Sequence, residues 1–252
     1  MEVFTITLEP CLRESVKEEL DKRTIDLGEF LQSGTTEIKC KELTFMLGGS
    51  QVLDYVFLVR VAEMFGCKGY LEIGTYIGES INVLSDYCEK LYSVTAPPDS
   101  CYGMIHFCKY YDIPHYSERL AYSDKITHYY VDSKCFDFSK VAEDVDLYFI
   151  DGDHSYGGVY NDTKNIFATK KEDAIVVWHD FKRLSLYRPE VIHAVKDALG
   201  AEFDNVYVTN NNICGIYIPK KYQNVFKCRE WKYQEGAPLR TYDCILNNFQ
   251  IK

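Results

Sequence analysis

Short apolar runs that end in glycine, carboxylate or imidazole residues alternate along this chain with stretches of helical period. The run Tyr70–Ile73 reads as a buried strand, Gly74 to Gly78 as a tight turn, and Glu79 onward as a helix that continues through Ile81–Lys90. Before it, Leu53, Val56, Phe57, Val61, Ala62 and Phe65 recur at helical spacing, and Gly66 supplies a C-terminal stop. That helix is predicted to pack on the sheet. Further strands are expected at Leu91–Thr95, Thr127–Val131, Asp146–Ile150 and Ala174–Trp178. Helices are expected around Met104–Tyr111, after Gly158 (with Val159, Thr163, Ile166 and Phe167 on one face) and over Pro189–Leu199, where proline sits in the first turn. Asn205–Val208 and Ile213–Ile218, joined by Thr209-Asn210-Asn211-Asn212, read as a closing antiparallel hairpin. Alternation of this kind predicts an α/β fold with a doubly wound, mostly parallel sheet.

The flanks are less periodic. Residues 1–50 are expected to form an N-terminal helical extension, with Glu14–Arg23 an exposed helix laced with opposite charges. Residues 51–219 form the central domain, and 220–252 a C-terminal tail. Both flanks are expected to shape an acceptor pocket or the subunit interface of a homo-oligomer. A formal net charge of −10 over 252 residues, without a basic cluster, argues against a nucleic-acid partner. No apolar stretch approaches the roughly 20 residues of a membrane span, so no membrane partner is expected. The 10 cysteines include no CxxC pair and the start is acidic, which predicts reduced thiols and a cytoplasmic protein.

Polar groups gather where the strands should end. These are Glu72, Thr95, Asp132-Ser133, the run Asp151-Gly152-Asp153-His154, and His179-Asp180. In a doubly wound sheet such ends line the ligand crevice. Gly74 allows a conformation that a Cβ opposes, Gly78 lets the helix start close to the strand, and Glu72 can accept hydrogen bonds from a ligand. Asp153 and Ser155 are also ordinary helix-capping types. A carboxylate such as Asp151, closing an apolar run, is costly unless something pairs with it. His106, His115, His128 and His193 show no metal-like spacing and read as structural.

Three segments, LEIGTYIGES, DLYFIDGDHSYGGVYND and AIVVWHDF, together resemble the class I S-adenosylmethionine-dependent methyltransferases, in the small-molecule branch similar to catechol O-methyltransferase and bacterial sugar O-methyltransferases. The resemblance covers about residues 50–218 and implies a Rossmann-like sheet of seven strands. It also implies that S-adenosylmethionine is the cofactor, held at its methionine end by Glu72, Gly74, Tyr76, Gly78 and Ser80, with Asp132 and Ser133 beside the adenine. Asp151, His179 and Asp180 would hold a divalent cation, magnesium or another, that touches the acceptor oxygen. His154 falls at the position of the proton acceptor, and the acceptor itself would be a small hydroxyl compound such as a sugar or phenol. Two positions depart from the pattern. Thr95 stands where the family places the acidic residue that grips the ribose, which leaves neutral hydrogen bonds or a substitute such as Asp99. His179 stands where the catechol enzyme has an oxygen ligand, and imidazole suits zinc, iron or copper better than magnesium.

Two rival readings follow from the same residues. Thr95 favours a methyltransferase-like binding protein without turnover. A nicotinamide-dependent oxidoreductase would want G-x-G-x-x-G, but Tyr76 occupies the middle glycine's place.

Overall fold

A computed structural model describes residues 12–34, 37–43, 49–97, 123–182, 188–225 and 228–229. The helix expected around Met104–Tyr111, the Asp99 substitute, His106 and His115, and most of the tail lie outside the described residues. In chain order the elements are α1 (Glu14–Asp21), β1 (Thr24–Ile25), α2 (Leu27–Gln32), α3 (Val52–Phe65), β2 (Gly69–Ile73), α4 (Glu79–Leu84), β3 (Lys90–Thr95) and β4 (Ile126–Tyr130). They continue with β5 (Leu147–Ile150), α5 (Tyr156–Thr169), β6 (Ile175–Trp178), α6 (Pro189–Leu199), β7 (Val206–Thr209), β8 (Gly215–Tyr217) and β9 (Cys228–Arg229).

One sheet of nine strands runs in the order β4-β3-β2-β5-β6-β8-β7-β1-β9. The strands from β4 to β6 are all parallel, β8 enters antiparallel between β6 and β7, and the expected hairpin is the β7–β8 pair. The seven strands expected are the seven from β4 to β7. The count is corrected by β1, parallel to β7, and β9, antiparallel to β1. Each of these two is only two residues long, too short to show a period of two along the sequence.

Burial on both faces explains why the central strands read as continuous apolar runs. Along β5 and β6, Tyr148, Ile150, Val176 and Trp178 face a layer that holds Val16 and Leu20 of α1, Val159 and Ile166 of α5 and Val191 of α6. Leu147, Phe149, Ile175 and Val177 face the opposite layer with Leu27 and Phe30 of α2, Phe57, Leu58 and Val61 of α3 and Ile81 of α4. Trp178 is fully buried and donates its indole N–H to Thr163 Oγ1 at 3.0 Å, which satisfies its one polar atom. The helix expected from Glu79 to Lys90 ends early, at Leu84. Ser85 turns its hydroxyl back on the Asn82 carbonyl at 2.6 Å, and such local bonds compete with helix propagation. Likewise α1 is amphipathic instead of simply exposed, with Val16 and Leu20 buried.

Candidate active site

The strand order reverses between β2 and β5, and the loops after these two strands touch. Gly74 adopts φ +88°, and a Cβ there would lie 2.2 Å from the carbonyl oxygen of Asp151. The two backbones therefore approach as only glycine permits. Tyr76 (φ +47°) and Gly78 (φ +87°) are also left-handed, so the turn folds tightly before Glu79 starts α4.

Glu72 sits within β2 and is wholly buried. Its Oε2 accepts from the Ser80 hydroxyl at 2.6 Å and the Tyr70 hydroxyl at 3.0 Å, while Oε1 has no aligned donor among the described residues. Burial pushes its pKa up to about 8, against the pull of the Ser80, Thr75 and Tyr70 hydroxyls. Because the folded value lies above the unfolded one, stability tied to Glu72 is present at acid pH and falls as pH rises from about 4.5 to about 8. The slope is about 1.4 kcal/mol per pH unit. Glu72→Gln is expected to remove that fall. Urea unfolding at several pH values checks it, and parallel wild-type and variant curves would rule it out.

Four side chains converge after β5 and β6. His154 Nε2 lies 3.1 Å from Asp151 Oδ1 and 3.0 Å from Asp180 Oδ2. His179 Nδ1 lies 3.1 Å from Asp151 Oδ1 and 3.8 Å from Asp180 Oδ1. Asp151, His154 and His179 each offer a ligand atom within 4.8 Å of the others. The Asp151 carboxyl lies well below the usual range: burial works against its charge, but the charged His179 ring and His154 outweigh it. For His179 burial likewise opposes the charged form, and the carboxylates of Asp151 and Asp54 prevail, holding it well above an ordinary histidine.

His179 Nδ1 is buried and off line for a hydrogen bond despite its 3.1 Å approach to Asp151. An orphaned nitrogen beside two carboxylates and a second imidazole is a donor set that fits a divalent cation. The buried, unpaired Glu72 Oε1 likewise fits a cationic ligand group, such as the ammonium of a methionine moiety.

Several contributors gave no motif in the sequence. Asp54, inside α3, places Oδ2 3.3 Å from His179 Nε2; Ser50 donates its hydroxyl to Asp151 Oδ2 at 3.1 Å; and Arg188 Nε lies 3.1 Å from Asp180 Oδ2. A lone carboxylate within the apolar run Val52–Val59 was the available signal for Asp54. A cleft of about 400 Å³, lined by Leu43, Gly49, Ser50, Gln51, Tyr55 and Glu79, opens beside this group. Another of about 380 Å³, by Cys67, Asp146 and Lys171, lies at the opposite ends of the strands, away from these residues.

The remaining expected positions are more ordinary. Thr95 ends β3 and is buried. Asp132 caps a 3-10 turn over Ser133–Cys135, accepting from Lys134 N at 3.0 Å. Ser155 caps α5 through Gly158 N at 3.1 Å, and Asp153 accepts from Ser155 N at 2.9 Å. His193 accepts from Arg13 N at 3.3 Å.

Residues 71–181 match the family Methyltransf_24, described as a methyltransferase domain. No curated protein sequence matches the chain. Similar solved structures include the SAH-bound methyltransferase PaMTH1 of Podospora anserina, at 12% identity, 83% of this chain and 90% of that one, with a TM-score of 0.47. A putative caffeoyl-CoA O-methyltransferase from Staphylococcus aureus shares 14% identity over 77% of this chain and 90% of its own, TM-score 0.46. An O-methyltransferase from Bacillus cereus in complex with SAH shares 12% over 84% and 93%, TM-score 0.43. The strand order and its reversal between β2 and β5 agree with the family match, and residues 71–181 form a methyltransferase domain of that family.

Proposed function

We propose that the chain methylates the hydroxyl oxygen of a small molecule, a sugar or phenol, with S-adenosylmethionine as donor and a divalent cation assisting. The observation that carries this reading is His154 Nε2, about 3 Å from both Asp151 and Asp180 at the mouth of the glycine turn. S-adenosylmethionine supplies an electrophilic methyl on a sulfonium, and a divalent cation supplies Lewis acidity toward the acceptor hydroxyl.

The chain's own residues do the rest. Glu72, Gly74, Tyr76, Gly78 and Ser80 would receive the methionine end, Thr95 the ribose, and Asp132 with Ser133 the adenine. Asp151, Asp180 and His179 would hold the cation. His154, half-buried, would take the hydroxyl proton at Nε2, its ring oriented by the flanking carboxylates. Burying the site on one side under β2, β5 and β6 limits the orientations of the two reactants, which is where much of the rate in such a transfer arises. The reading extends to a cytoplasmic protein, in a homo-oligomer, without nucleic-acid or membrane partners; among the described residues no helix is long and apolar enough to cross a membrane.

Calorimetry with S-adenosylmethionine and its demethylated product tests the reading. Binding of neither, in folded protein, sinks it; binding with no turnover on a panel of sugars and phenols favours the binding-protein alternative that Thr95 raises. His154→Ala is expected to lower turnover about 10²–10⁴-fold while leaving cofactor affinity in place.

A further inference from the structure

The two nitrogens of His179 have different surroundings. Nε2 meets Asp54 Oδ2 at 3.3 Å in hydrogen-bonding geometry. Nδ1 faces Asp151 and Asp180, buried and without an aligned partner. The Asp54 carboxyl group is itself fixed. Its Oδ2 accepts from Gln51 N at 2.8 Å, and its Oδ1 lies 3.5 Å from Ile213 N and 3.6 Å from Cys214 Sγ. The His179 ring also packs edge-on against Phe149, with centroids 5.9 Å apart at 78°. A carboxylate only accepts, so the ring proton facing Asp54 belongs to Nε2, and in the neutral ring the lone pair belongs to Nδ1. Metal-binding imidazoles are commonly oriented this way, by a carboxylate on the other nitrogen.

We propose that Asp54 is a positioning residue for the cation site, fixing the Nε2–H tautomer of His179 so that Nδ1 serves as a ligand and the site prefers a first-row transition-metal ion to magnesium. This rests on the cation-assisted reading above. Magnesium asks for oxygen donors in an octahedron and keeps its waters, whereas zinc, iron and nickel accept imidazole nitrogen readily, and cobalt lies between iron and nickel in the affinity order. His154 Nε2 lies within reach of the same two carboxylates but is the proton acceptor in the reading above, so Nδ1 of His179 is the nitrogen donor of the cation site. Asp54 sits on α3, outside the loops that carry the other site residues; it is the N3 residue of the capping box begun by Gln51, and the same carboxyl group reaches past that box to His179 Nε2.

The test uses the purified full chain, stripped of metal and titrated with Co²⁺ and with Mg²⁺. Co²⁺ binding is followed by visible absorption, and Mn²⁺-loaded protein is examined by pulsed EPR for nitrogen coupling. The wild-type chain is expected to bind Co²⁺ at least about 100-fold more tightly than Mg²⁺ and to show imidazole coupling. Asp54→Asn should weaken Co²⁺ about 10–100-fold and shift its absorption bands, with circular dichroism unchanged. His179→Asn, which covers the case of an Asp54 variant that fails to fold, should reduce the nitrogen coupling and narrow the Co²⁺ preference. Equal wild-type affinities for Co²⁺ and Mg²⁺, absence of nitrogen coupling, or a folded Asp54→Asn protein with unaltered Co²⁺ affinity each overturn the proposal. A chain that binds S-adenosylmethionine yet fails these cation tests overturns the inference and leaves the methyl-transfer reading standing.

Discussion

Asp151→Asn is expected to lower the melting temperature by about 6–15 °C and turnover at least about a hundredfold. Three groups converge on this carboxylate: Ser50 Oγ at 3.1 Å, His154 Nε2 at 3.1 Å and His179 Nδ1 at 3.1 Å. An amide of the same shape keeps the packing but leaves a buried, cation-favouring His179 facing a neutral group. Breaking one half of a buried pair in this way typically costs about 3–5 kcal/mol. The pH dependence follows from the lowered Asp151 pKa. Its contribution is complete above the ordinary carboxylate range and drains away as pH falls toward the folded value. Scanning melts across acid pH should therefore show a shallower acid limb in the variant than in the wild type. Identical melting temperatures near neutrality would mean that the Asp151 charge is not part of what holds the loops together.

The second large effect belongs to Gly74. Gly74→Ala must place a methyl group 2.2 Å from the Asp151 carbonyl oxygen and 2.7 Å from Gly152 Cα, both backbone atoms that cannot rotate aside, at φ +88°. The loops after β2 and β5 would have to part. An expected cost of about 2–4 kcal/mol combines the left-handed backbone with overpacking, and cofactor affinity should fall at least about tenfold as the turn is displaced. Gly66→Ala is the internal control. Gly66 is also left-handed, at φ +65°, but a Cβ there meets nothing within 4 Å, so only the conformational cost of about 1 kcal/mol remains. Differential scanning of the two variants side by side decides the matter: if they melt together, the contact between the loops carries no energy.

Much of this architecture was legible because β2, β5 and β6 are buried on both faces and so appear in the sequence as uninterrupted apolar runs. The glycine turn and the Asp151 and His179-Asp180 termini were legible for a related reason, since polar residues that close such runs must lie at strand ends. Contacts made across the fold were not. Asp54 lies 125 positions from His179, and its place in the first turn of α3, where it closes a capping box with Gln51, is an ordinary local role that says nothing of the second contact. Helix α4 was overextended because periodicity carries no information about the Ser85 hydroxyl returning to Asn82.

The outermost pairings of the sheet have a meaning for how the chain must be kept whole. β7 is shielded by Thr24–Ile25 from one flank, and that piece in turn by Cys228–Arg229 from the other. Two stretches more than 200 positions apart along the polypeptide thus act as a selvedge, stopping the weave from fraying. Trimming either flank back toward the family-matching core would bare a row of peptide N–H and C=O groups, and the nearest thing able to satisfy them is the same row on another copy.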